Sequence, residues 1–191
     1  MTSRGSVAPD ATHRLFLALD LPAPSRRALC AWADACLSGG GRRVPEEALH
    51  VTLAFLGERR PEEVAGALDA LRDAVGSARV GPLTIAGWRE SDRVGMVVLD
   101  DPSDGATRLH AALRSCLRAR GVEPAGPERW LPHVTIVRRR ATTGAVVSPP
   151  TGRTLVPSDA AAYLSRPGPT GARYTPLLRL PLHPLTEEEE E

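Results

Sequence analysis

Apolar side chains fill most of residues 14–21 (RLFLALDL), and a run this dense predicts a buried strand. The pattern then changes period. Residues 24–37 read as a helix, with Pro24 in the first turn and Ala, Leu and Trp32 inward, and Gly39-Gly40-Gly41 ends it. A strand over 49–56 is followed by a helix over 61–75. Pro61 opens that helix, Glu62 and Glu63 suit its positive end, and Val64, Leu68, Leu71 and Val75 share one face. Strands over 83–88 and 94–99, a helix over 103–120 stopped by Gly121, and a strand over 130–138 follow. Residues 140–158, rich in Thr, Gly and Pro, predict a long loop. Two closing strands, over 160–164 and 173–180, flank a Pro167-Gly168-Pro169 turn. The order β-α-β-α-β-β-α-β-β-β predicts an α+β fold with helices outside curved sheets. Similar strand–helix–strand blocks point to two related lobes, and the pattern leaves strand pairing open.

Two of these strands repeat one pattern: Leu49-His50-Val51-Thr52-Leu53 and Pro132-His133-Val134-Thr135-Ile136. Side chains alternate faces along a strand, so His50 and Thr52 share one face while Val51 and Leu53 anchor the other. The second copy does the same with His133 and Thr135. One such match carries little weight, because a half-buried His in an ordinary strand looks alike, but here two occur among only five histidines. Facing each other, the two units would supply a general base, a general acid and two hydroxyls for an oxyanion, the groups that hydrolysis of a phosphate ester requires.

Composition changes this picture little. The 191 residues suffice for one sizeable domain, expected over 14–184, with a flexible tail over 1–13 and an acidic tail over 185–191. A net charge of +1 gives no global reason to expect nucleic acid, so attraction to RNA would need a local patch. Arg42, Arg43, Arg138, Arg139 and Arg140 flank the motifs and are candidates for it. All the basic side chains are Arg, which with abundant Ala, Gly and Pro fits a GC-rich genome. Cys30, Cys36 and Cys116 have no metal-ligand spacing, and Cys30 and Cys36 read as buried thiols of the first helix. Neither a signal peptide nor an apolar run long enough to span a membrane is apparent, so a cytoplasmic location is the default.

The motif pair, the LAFLG continuation of the first copy and the closing segments around Leu164-Ser165-Arg166 and Gly171-Ala172-Arg173-Tyr174 resemble the two-histidine (2H) phosphoesterase superfamily. Within it, the RNA 2′,3′-cyclic phosphodiesterases, also called LigT-like or 2′-5′ RNA ligase family proteins, look most similar. The resemblance implies a bilobal, pseudo-twofold fold with curved, mostly antiparallel sheets around a central cleft. It implies an enzyme without cofactor or metal, acting as a monomer on RNA or oligonucleotide ends that carry a 2′,3′-cyclic phosphate. His50 would then be the proton donor and His133 the proton acceptor, giving a 2′-phosphate, with weak reversible 2′-5′ ligation; the residues themselves leave that order open. Thr52 and Thr135 would hold nonbridging phosphate oxygens. Arg138 matches an arginine that often follows the second motif. It lies on the opposite parity from His133, so reaching the phosphate requires the strand to end, twist or bulge.

Trp88, Trp130 and Tyr174 are candidates to stack on a base, against a plain core or rim role. His13, His110 and His183 read as structural or incidental. Two departures from the family pattern stand out: Arg43 where many relatives carry an aromatic, and Ile136 where Leu is commoner. Two alternatives keep the fold. One takes a small cyclic nucleotide, a 2′-5′ oligoadenylate or ADP-ribose cyclic phosphate as substrate; the other is a noncatalytic nucleotide-binding module. A metallohydrolase is disfavoured, since each motif supplies one ligand and no carboxylate cluster accompanies it.

Overall fold

The computed structural model describes residues 13–37, 41–126, 128–144, 147–168 and 172–183. The two predicted tails lie outside them, except that His13 opens the first strand, and so does Pro169 of the predicted turn. In chain order the elements are β1 (His13–Asp20), α1 (Ala23–Cys36), β2 (Arg42–Arg43), a 3₁₀ turn at Glu46–Ala48, β3 (His50–Arg59) and α2 (Pro61–Gly76). They continue with β4 (Leu83–Glu90), β5 (Val94–Asp100), α3 (Gly105–Ala119), β6 (His133–Arg138), β7 (Thr154–Leu155), β8 (Asp159–Arg166) and β9 (Arg173–Pro181). Each predicted helix and each strand of the predicted order is present. The predicted 140–158 loop also contributes β7, which pairs with β4.

The nine strands form one curled, antiparallel sheet in the order β7-β4-β5-β6-β3-β1-β8-β9, with β2 also pairing β6. The two expected halves are therefore one continuous sheet, joined at its middle. The seam is narrow: β3 and β6 share one register pair, Val51 opposite Val134. On either side of it the halves mirror each other, with β1 and β5 flanking the motif strands and β8 and β4 beyond them.

Alternation along the strands sorts the side chains. Leu15, Leu17 and Leu19 of β1, with Val51, Leu53, Val97 and Val134, enter the main core against Leu29 and Ala33 of α1, Leu71 of α2 and Leu113 of α3. The other face carries a small cluster of Phe16, Ala18, Ala161 and Tyr163, with Tyr174 against it. Helices thus cover one face and leave the other for a cleft.

Local signals set the helix ends. Pro61 occupies the first turn of α2, and the Arg60 backbone N–H donates to the Glu63 carboxylate at 3.0 Å. Gly121 takes a positive φ of 70° just past α3, which glycine adopts without strain, and the Val122 N–H returns to the Leu117 carbonyl. The buried stripe of α2 differs from the expected one. Ala67, Ala70, Leu71, Ala74 and Val75 are buried, whereas Val64 and Leu68 are half-buried at its edge. Small alanines let the helix approach closely, and the larger side chains close the rim. Cys36 is exposed and Cys30 only half-buried, which corrects the expectation of two buried thiols.

Candidate active site

Val51 and Val134 are fully buried partners across the seam. Their neighbours must then point to the opposite face, and this brings His50, Thr52, His133 and Thr135 together on the cleft side. All four are partly exposed, as groups that must meet a solute need to be.

The two imidazoles are anchored alike. His50 Nδ1–H donates to the Ala48 carbonyl at 2.7 Å, and His133 Nδ1–H donates to the Leu131 carbonyl at 2.8 Å. A carbonyl can only accept, so each Nδ1 carries the proton. Each Nε2 is then the atom able to take or give one in the cleft. In the neutral form, Thr52 donates its hydroxyl proton to His50 Nε2 at 3.1 Å.

Both motif strands bulge directly after their Thr. In β3 the register with β1 jumps from Ala18–Thr52 to Leu17–Ala54, leaving Leu53 as the extra residue. In β6 the register with β5 jumps from Met96–Thr135 to Gly95–Val137, leaving Ile136. Parity resets at each bulge. Phe55 and Arg138, three residues past each Thr, therefore turn toward the cleft, while Ala54 and Val137 are buried. The bulge that Arg138 needed is thus present, and Phe55 occupies the corresponding place in the other half. A cavity of about 590 Å³ lies beside the motif residues on this face, and its lining includes Arg14, Phe16, Arg42, Phe55, Arg138 and Tyr174. The four motif side chains are not part of that lining, and His50 adjoins it through Phe16 and Tyr174.

His50 sits deeper in this wall. Its ring lies 4.9 Å from Phe16 and 5.5 Å, edge-on, from Tyr174. Burial strips water from the cation and pulls its pKa from 6.5 to about 4, against the upward pull of the Ala48 carbonyl and of Asp20. Asp20 lies opposite His50 on β1 and is itself engaged: Tyr163 donates its hydroxyl at 2.6 Å and Arg179 Nε donates at 3.0 Å.

Other candidates fall elsewhere. Trp88, a base-stacking candidate from sequence, lies outside the cavity lining. It packs edge-on against Trp32 at 5.7 Å, donates to Glu90 at 3.3 Å and leaves no room for a side chain at Gly95. Trp130 is occupied too, since its indole N–H donates to the Thr52 carbonyl at 2.9 Å. Tyr174 does line the cleft. The expected arginine patch splits. Arg42 and Arg138 pair across β2 and β6 and line the cavity. Arg43 instead donates to the Ala33 and Leu37 carbonyls at 2.6 Å, capping α1, and Arg139 is buried against Glu90 at 2.5 Å. Phe16 and Phe55 were not singled out from sequence. Their signal is parity: Phe16 shares the face of Asp20 by strict alternation, but Phe55 reaches the cleft only through the bulge.

A sheet with paired His-x-Thr strands at its seam and a cleft on its open face defines a class of phosphoesterase-like proteins. The family model of the 2′-5′ RNA ligase superfamily matches residues 22–158, and the chain belongs to that superfamily. It is similar to the RNA 2′,3′-cyclic phosphodiesterase of Escherichia coli (strain K12), with 31% identity over 172 residues, 87% of this chain and 95% of that protein. Its fold is similar to that of E. coli LigT complexed with 3′-AMP, at a TM-score of 0.73 and 29% identity, covering 90% of this chain and 99% of that one. The TT0787 protein of Thermus thermophilus is similar as well, at a TM-score of 0.72 and 27% identity over 90% of this chain and 98% of that one. The resemblance, and the α+β fold expected from the order of strands and helices, are thus borne out.

Proposed function

We propose that this protein is a metal-independent RNA 2′,3′-cyclic phosphodiesterase that opens terminal cyclic phosphates to 2′-phosphates. The observation that carries this reading is the matched anchoring of the two imidazoles: each Nδ1–H is tied to a carbonyl two residues back, and each Nε2 is left for proton transfer. Family membership and the similarity to the E. coli phosphodiesterase support the substrate class.

In the reaction, His133 Nε2 takes a proton from water as the water oxygen bonds to phosphorus. The bond from phosphorus to O3′ breaks, and protonated His50 Nε2 gives its proton to that oxygen. Thr52 and Thr135 donate hydrogen bonds to nonbridging oxygens as their charge grows. His50 is neutral near pH 7 in the free protein, its pKa being held at about 4. It takes up its proton as the anionic diester enters, because a neighbouring negative charge raises an imidazole's pKa. In 2′-5′ ligation an RNA 5′-hydroxyl takes the place of water: His133 Nε2 takes its proton as its oxygen bonds to phosphorus, and His50 Nε2 protonates the departing O3′. Cleavage of that 2′-5′ bond back to the cyclic phosphate exchanges the two roles. Arg138 contributes charge beside the phosphate, and Phe55 and Tyr174 offer faces to a base. All four motif side chains come from one chain, so a monomer suffices, and we place it in the cytoplasm. Among the described residues, no helix is long and apolar enough to cross a membrane.

The test is hydrolysis of an oligoribonucleotide ending in a 2′,3′-cyclic phosphate, with EDTA present and the product's phosphate position resolved. Conversion to a 2′-phosphate is expected. A 3′-phosphate product would reverse the leaving oxygen, and no conversion would overturn the reading.

A further inference from the structure

Two side chains hold the backbone carbonyls at the first bulge. Thr52 and Leu53 sit where β3 leaves register with β1. Two side chains from outside the sheet take their carbonyls. Trp130 Nε1–H donates to Thr52 O at 2.9 Å, and His110 Nδ1–H donates to Leu53 O at 2.8 Å. The two rings stack on each other, 5.2 Å between centroids and 9° from parallel. At the second bulge, the Ile136 carbonyl is taken instead by the backbone N–H of Val44 at 2.9 Å.

The origins of the two rings matter. His110 comes from α3 and is buried. Trp130 belongs to the segment entering β6, one residue before Leu131, whose carbonyl fixes the His133 ring. The stacked pair therefore grips the first motif's backbone and adjoins the anchor of the second motif's imidazole. β3 and β6 themselves share a single register pair. One pair leaves the angle between two strands weakly specified, and ring-to-carbonyl bonds beside it add the missing constraint. A purely space-filling role would not require two polar ring edges aimed at consecutive carbonyls.

We propose that His110 and Trp130 are positioning residues that set the relative placement of the His50–Thr52 and His133–Thr135 pairs across the seam. The proposal rests on the reading of this cleft as a cyclic phosphodiesterase site. Trp130→Phe keeps the stack and removes one donor, and His110→Phe removes the other. His110→Asn keeps a donor near the same place. If the strut positions the acid and base, Trp130→Phe and His110→Phe should each lower kcat by about tenfold or more, with KM nearly unchanged, because small misplacements cost mainly turnover. His110→Asn should recover most of the loss. The tautomer-sensitive ¹⁵N resonances of both His50 and His133 should shift in Trp130→Phe, although that substitution touches neither ring.

Wild-type kcat in both Phe variants would overturn the proposal. So would His110→Asn losing as much as His110→Phe in step with melting temperature, which marks plain core packing. The resonance shifts need no substrate. Unmoved His133 resonances in Trp130→Phe overturn the strut whatever the activity. Shifted resonances alongside an inactive wild type would keep the strut and overturn only the cyclic phosphodiesterase reading.

Discussion

The two motif strands carry the same His-Val-Thr run, the same buried Val and the same bulge after Thr, yet their surroundings differ. On β3, His50 is walled by Phe16 and Tyr174, and the residue that the bulge turns into the cleft is Phe55. On β6, His133 lies opposite Val98, and the corresponding residue is Arg138. The strand pattern places the two His-Thr pairs symmetrically, and the neighbours then set them apart. One half presents apolar rings suited to a base, the other a cation suited to a phosphate. The same asymmetry separates the histidines, since burial holds His50 neutral down to about pH 4 in the free protein.

The sharpest way to break the comparison is to remove one imidazole at a time. His50→Ala and His133→Ala should each lower kcat by roughly 10³-fold or more while leaving far-ultraviolet circular dichroism unchanged, because both project into the cleft. The double variant should be little worse than either single one, since acid and base act as a unit. Turnover within twofold of wild type in either single variant would remove that histidine from the mechanism. Next in size, Thr52→Val and Thr135→Val should each cost about 2–4 kcal/mol of transition-state stabilisation, read from kcat/KM. Equal losses would mean that the two halves hold the phosphate symmetrically. A larger loss at Thr52 would reflect its added bond to His50.

Much of this architecture is legible in the chain itself. The helices and main strands follow from periodicity, and the four motif residues from a repeated spacing on alternating strands. What periodicity cannot carry is the break in its own rule. A strict period of two puts Ala54 and Leu56 beside His50 and leaves Arg138 facing away, and one extra residue in each strand reverses this. His110 is illegible for a different reason: its partner is a backbone carbonyl 57 residues earlier, and no side-chain pattern encodes a carbonyl. Arg43 and Arg139 looked like members of a basic patch because charge runs read alike. Only tertiary packing distinguishes a helix cap or a buried ion pair from a solvated face.

The His50 environment also has a consequence for stability. Its folded pKa of about 4 lies below the unfolded value of 6.5, so between these the unfolded chain binds more protons. The stabilisation is complete above pH 6.5 and is lost as pH falls toward 4, reaching at most about 3 kcal/mol. Urea unfolding at pH 7 and pH 4.5 should therefore show a smaller acid loss for His50→Gln than for wild type. An identical acid loss in the two proteins would mean that His50 is well solvated and that the aromatic wall does not set its charge.

The smallest effects bear on the division of labour itself. Arg138→Gln removes a cation from the cavity lining, whereas Phe55→Ala removes a ring that is half exposed (52%) there. Each should raise KM for an oligoribonucleotide substrate by up to about tenfold, the scale of one ionic or stacking contact. Salt dependence tells them apart. Neutralising a phosphate contact releases a counterion on a single strand with a slope of about 0.7 per contact, so Arg138→Gln should flatten log KM against log salt by about that amount. Phe55→Ala should leave the slope as it is, because stacking moves no counterion. If both variants flattened the slope equally, the ring would be acting by shaping the cation's position. The two halves of the cleft would then work as one phosphate grip, not as a base wall and a phosphate wall.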